Sequence, residues 1–203
     1  MTDNQVVVTE RTSPYRGYMR LDHYHLKHTT FDGEWSTTLS REVLERGHAV
    51  SVLPYDPFKN EVVLIEQFRI GAYTAPHTSP WQIECVAGMI EPHQLPEDTA
   101  YRETEEETNL RILDLEPIHT YLSSPGCTSE TIQMFCGHVD ASDVGGIHGL
   151  INEGEYIRAF STSVEEAFNW LGNGRIENGM TIIALQWLKL NLNVINSKWR
   201  VGG

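Results

Sequence analysis

The stretch from Gly88 to Leu110, GMIEPHQLPEDTAYRETEEETNL, concentrates the chemistry of this sequence. Between Glu97 and Glu107 six acids stand against one base, Arg102, a net charge of −5 in eleven residues. At ~100° per residue, Glu103, Glu106 and Glu107 fall within an arc of about 100° on one helical face. Three carboxylates held that close repel one another unless a cation lies between them. Hard oxygen ligands of this kind suit Mg²⁺ or Mn²⁺, which commonly bridge to phosphates. The plainer alternative is an acidic helix face in water, and an isolated Glu-Glu-Glu run would favour it. Two details argue for the metal. The run follows a strand and a tight Ala87-Gly88 turn, where a backbone carbonyl can serve as a further ligand. Arg102 also directly precedes Glu103 and can orient a neighbouring carboxylate.

These side chains need a frame. Pro96-Glu97-Asp98 places proline in a first helical turn and acids at the positive end of the helix dipole. The helix should run to about Thr108, where Asn109 supplies a left-handed stop. Upstream, AVSVLPYD and EVVLIEQFRI are β-branched runs separated by the turn-like residues 56–60, and Trp81 to Val86 is a further strand. Ile118 to Leu122 and Ile132 to His138 follow as strands. Ser163-Val164-Glu165-Glu166 has the form of a capping box, opening a helix that ends near Gly172-Asn173-Gly174. A last helix covers roughly Met180 to Leu192, with apolar residues at helical spacing.

The first fifty residues differ. Tyr18 to His28 and Trp35 to Leu44 read as strands around the turn signal Phe31-Asp32-Gly33, and are poor in Leu and Ile. The fold class is therefore α+β or α/β/α, a mixed sheet between helices preceded by a small antiparallel β domain. The boundaries fall at residues 1–48 for the β element and 49–203 for the larger domain. His23 and His25 share a strand face and His28 does not, which favours a surface strand over a metal site. The tryptophans and cysteines read as core or interface packing.

Of the 203 residues, 28 are acidic and 15 basic, a formal charge of −13. That balance argues against broad contact with nucleic acid or an anionic membrane. Three cysteines without CxxC spacing read as reduced thiols in a cytoplasmic protein. No signal peptide is expected from MTDNQVVVTE, and no apolar stretch approaches the ~20 residues of a membrane span.

The segment resembles the Nudix box: Gly, five residues, Glu, seven residues, then Arg-Glu-aliphatic-x-Glu-Glu-x-Gly-aliphatic. Those positions here are Gly88, Gln94, Arg102, Glu103, Thr104, Glu106, Glu107, Asn109 and Leu110. Beyond the box, YRGYMRLDHYHL, REVLERGHAV, EVVLIEQFRI, VAGMIE, SSPGCTSE, GIHGLINEGEYIR and IALQWLKL are similar to the bacterial ADP-ribose pyrophosphatases over nearly the whole chain. The resemblance implies a Nudix sandwich whose N-terminal β domain is exchanged across a homodimer. It implies Mg²⁺-dependent hydrolysis of ADP-ribose to AMP and ribose 5-phosphate, with Mn²⁺ as a substitute. Carried over position by position, Glu103, Glu106, Glu107 and the carbonyl of Ala87 hold metal, with Glu155 a further contact. The glycine-bearing loop 149–155 supplies Glu153, which with Glu106 is expected to be catalytic. Arg69 and Arg41 correspond to arginines for the diphosphate or ribose and for the adenine region, Tyr18 to an aromatic stacking on adenine, and Glu130 to a carboxylate near the ribose.

Three positions depart from the box. Gln94 replaces a glutamate expected to brace the site, with Arg102 as a candidate partner. Thr104 replaces an aliphatic residue, which should cost packing and not chemistry. Asn109 replaces Gly and tolerates the same backbone. The retained acids imply an active enzyme. The alternatives are a hydrolase of another nucleoside diphosphate sugar, such as GDP-mannose, and a catalytically weak sensor of ADP-ribose.

Overall fold

A computed structural model describes residues 5–76, 78–149 and 154–200. Two compact units are distinguished: Met1–His48 with Tyr121–Ile132, and Ala49–Thr120 with Gln133–Gly203.

The first unit holds a three-stranded antiparallel sheet in the order β1-β2-β3, formed by Val6–Arg16 (β1), Arg20–His28 (β2) and Leu39–Glu45 (β3). Strand β1 is absent from the sequence reading. Its composition turns polar after Val8 and contains Pro14, and its register with β2 shifts twice, once between Thr12 and Tyr15 where Pro14 lies. Such irregularities let a strand carry a residue that lacks an N–H. The buried carboxylate of Asp22 ties β1 to β2, accepting from Ser13 Oγ at 2.6 Å, Arg11 Nε at 3.1 Å and Arg20 Nε at 2.9 Å. His23 and His25 do share a face, their ring centroids 4.7 Å apart.

The second unit is built on a larger sheet. Its strands are Ala49–Asp56 (β4), Glu61–Phe68 (β5), Trp81–Glu84 (β6), Val86–Met89 (β7), Asp114–Leu122 (β8), Thr131–His138 (β9), Ile147–His148 (β10) and Ile157–Ser163 (β11). The order is β10-β11-β5-β4-β9-β8, with β6 paired to β5 and β7 to β4. Every residue of β4 is buried, as a strand covered on both faces requires. The helices are Ile70–Thr74 (α1), Pro96–Thr108 (α2), Val164–Gly172 (α3) and Gly179–Arg200 (α4). Ala100 of α2 enters a core with Val50, Val52, Ile65, Val86, Phe135, Ile157 and Ala159. On β4, Tyr55 donates to Asn196 Oδ1 of α4 at 2.7 Å.

Two expectations are corrected. Ala87 and Gly88 form no turn; they lie inside β7, paired with Ser51 and Val50. Helix α4 continues beyond Leu192 because Ile195 and Trp199 extend its buried face and Lys198 and Arg200 favour its C-terminal dipole. Of the tryptophans, Trp170 and Trp199 are buried, whereas Trp35, Trp81 and also Cys127 are exposed. Among the described residues no helix is long and apolar enough to cross a membrane.

Candidate active site

Helix α2 begins and ends where its local chemistry directs. Pro96 sits in its first turn, Glu97 and Asp98 follow, and Asn109 closes it at φ 58° with its N–H on Glu105 O. Thr104 is buried and donates to Ala100 O at 2.8 Å, so the hydroxyl at an apolar position is satisfied within the helix.

The inner face of α2 lies over β7. A Cβ on Gly88 would fall 1.9 Å from Glu103 Cδ and Oε1, so any other residue there displaces this carboxylate from its present position. Four residues on, Glu107 accepts the Ala87 N–H at 3.2 Å and is 6% exposed. Burial pushes the Glu103 carboxyl up to about 7, Arg102 partly opposing and Glu106 adding to it. Burial likewise raises Glu107 well above the usual carboxylate range, reinforced by the charge of Glu103, with Glu155 contributing. Two desolvated carboxylates repelling each other are the expected condition of ligands that take a divalent cation.

Arg102 bridges the helix surface, 2.9 Å from Glu103 Oε1 and 2.9 Å from Glu106 Oε2. Its Nε is buried without a hydrogen-bond partner among the described residues. Gln94 does not brace it: its Oε1 accepts from Thr99 Oγ1 at 3.0 Å. Among the described residues no three His, Cys, Asp or Glu side chains converge to hold a metal ion. Arg102 already engages two of the three candidate ligands, so common ligation requires a rotamer change at Glu103 or Glu106. The donor set, all oxygen and partly desolvated, fits Mg²⁺ or Mn²⁺.

Arg69 follows β5 and its guanidinium forks onto Glu84 of β6, Nε at 3.0 Å and Nη2 at 2.8 Å from Oε2. Burial opposes its charge, but Glu84, then Glu107 and Glu155, raise its pKa on balance. Glu84 went unremarked in the sequence. Its only signal is an acid inside a short strand, WQIECV, whose remaining residues apart from Gln82 are apolar. Glu155 is exposed, and Glu153 lies outside the described residues.

The remaining expected residues belong to the other unit. Tyr18 is 90% exposed. Arg41 is exposed on β3, its Nη1 on Ser40 O at 2.8 Å. Glu130 is buried, with its carboxylate 3.2 Å from Arg46.

An acidic helix packed by a glycine onto a strand defines the class. The NUDIX domain model matches residues 45–179, and the chain belongs to the NUDIX family. It is 45% identical over 196 residues to an ADP-ribose pyrophosphatase of Escherichia coli (strain K12), spanning 97% of this chain and 93% of that protein. An ADP-ribose pyrophosphatase of Haemophilus influenzae is 41% identical over 188 residues, spanning 92% and 87%. A crystal structure of an ADP compounds hydrolase shares the fold, with a TM-score of 0.67 at 15% identity over 91% of this chain and 95% of that one.

Proposed function

We propose that this protein hydrolyses ADP-ribose to AMP and ribose 5-phosphate, using Mg²⁺ with Mn²⁺ as a substitute. The observation that carries the reading is the desolvated pair seated on β7, Glu103 against Gly88 and Glu107 on the Ala87 N–H. The two ADP-ribose pyrophosphatases, similar over nearly the whole chain, support the choice of substrate.

Glu103, Glu106, Glu107 and the Ala87 carbonyl would hold the ions, with Glu155 beside them. When bound, the ions supply positive charge against the diphosphate and make a water easier to deprotonate. Arg69 binds a phosphate oxygen through guanidinium N–H groups, which suit that geometry better than an ammonium. Glu153 accepts a proton from the attacking water, and Glu106 supports that step. Water adds to one phosphorus, the P–O bond to the bridging oxygen breaks, and two phosphate monoesters leave. Tyr18 stacks on adenine, Arg41 serves the adenine region and Glu130 the ribose, with the N-terminal unit acting across a homodimer. The setting is cytoplasmic.

Product analysis with ADP-ribose, GDP-mannose and other nucleoside diphosphate sugars tests this. AMP released fastest from ADP-ribose, and only with Mg²⁺ or Mn²⁺, is the expected result. Tight ADP-ribose binding without hydrolysis under either metal would replace the enzyme by a sensor.

A further inference from the structure

The buried acid of β6 has no place in the mechanism above, yet it is the most heavily hydrogen-bonded carboxylate near the site. Alternation along β5 puts Ile65, Gln67 and Arg69 on one face, and the register Ile65↔Glu84 puts Glu84 on the same face. Glu84 is 1% exposed. Its oxygens accept from Arg69, from Gln67 Nε2 at 3.2 Å and from Asn178 Nδ2 at 2.9 Å. Asn178 is itself fixed, its Oδ1 accepting the Thr181 N–H at 3.1 Å in the first turn of α4.

This arrangement decides between two places for the Arg69 cation. The charges of Glu107 and Glu155 attract the Arg69 guanidinium, and Arg102 shows where such attraction ends when nothing competes, paired with Glu103 and Glu106. An arginine paired there would occupy carboxylates that a divalent ion needs. Glu84 instead takes the Nε edge in a fork held by two amides. Nη1 is left without a hydrogen-bond partner among the described residues. We propose that Glu84 is a positioning residue: it holds Arg69 off the metal-site carboxylates and presents the free edge of the guanidinium to the substrate diphosphate. The inference rests on Arg69 binding that diphosphate.

The test is a double-mutant cycle between Glu84→Gln and Arg69→Ala, read as KM and kcat for ADP-ribose at saturating Mg²⁺, as melting temperature, and as ADP-ribose binding in EDTA. Glu84→Gln should raise KM about tenfold and weaken binding in EDTA similarly, with kcat within about threefold. In the Arg69→Ala background it should change neither by more than about twofold. A full effect in that background, or an unchanged KM in Glu84→Gln alone, overturns the proposal. Should Glu84→Gln fold poorly, Arg69→Lys decides. A lysine cannot span the fork and should resemble Arg69→Ala, whereas wild-type KM in Arg69→Lys overturns the positioning role. An unaltered KM in Arg69→Ala would instead remove the diphosphate assignment of Arg69 itself.

Discussion

Two buried carboxylates, one in each unit, face opposite electrostatic surroundings. Asp22 of the N-terminal sheet is fully buried, and Glu107 of α2 nearly so. Around Asp22 the Ser13 hydroxyl, then Arg11 and Arg20, hold the carboxyl far below its usual range against the opposing effect of burial. Around Glu107 burial dominates and the charge of Glu103 adds to it, while the Ala87 N–H and then Arg69 oppose in part and Glu155 adds the least. The first acid is a finished structural cluster. The second is an unfinished one, and the missing component is positive charge. Burial alone therefore does not mark a functional carboxylate; lack of compensation does.

The contrast is broken most sharply by neutralising each acid. Glu107→Gln should cut kcat/KM by at least roughly 100-fold, while its melting temperature without metal holds or rises. The amide can still accept the Ala87 N–H, and a repulsion is removed. Asp22→Asn should do the reverse, lowering the melting temperature by stranding Arg11 and Arg20, which a thermal melt will show. Unchanged turnover in Glu107→Gln would mean the acid is structural too.

Gly88→Ala separates position from charge. The added methyl occupies the space of the Glu103 carboxylate, and activity should fall about 10- to 100-fold, a loss of the size seen when metal-site supports are disturbed. Steady-state kinetics with a Mg²⁺ titration should show weaker metal activation as well. The smallest effect concerns Gln94→Glu. A carboxylate there can reach toward Arg102 only by giving up Thr99, so metal activation should improve by no more than about fivefold, the scale of a partly exposed ion pair.

Much of this site was legible because its signals are local. Proline, paired acids and asparagine bracket α2 within one short segment, and the bounds expected from them match the helix observed. Gly88 was legible as necessary but for another reason than the one inferred. Its lack of a side chain serves a close approach by Glu103 inside a strand and no turn at all. The Arg69–Glu84 clamp was not legible, since fifteen residues and a strand register separate its partners. Strand β1 stayed hidden because its polar residues and Pro14 erase the alternation that marks a strand.

Whether the acids of α2 await a cation is measured most directly by melting temperature against Mg²⁺. Glu103 is raised from 4.5 to about 7, so between those values the native state binds protons that the unfolded chain has released. The contribution of Glu103 to metal-free stability should be fullest below pH 4.5 and should be lost as pH rises through 7. At pH 8 Mg²⁺ should then raise the melting temperature of the wild type by several degrees and leave Glu107→Gln nearly unmoved. An equal shift in both proteins, or none in the wild type, would contradict the assignment.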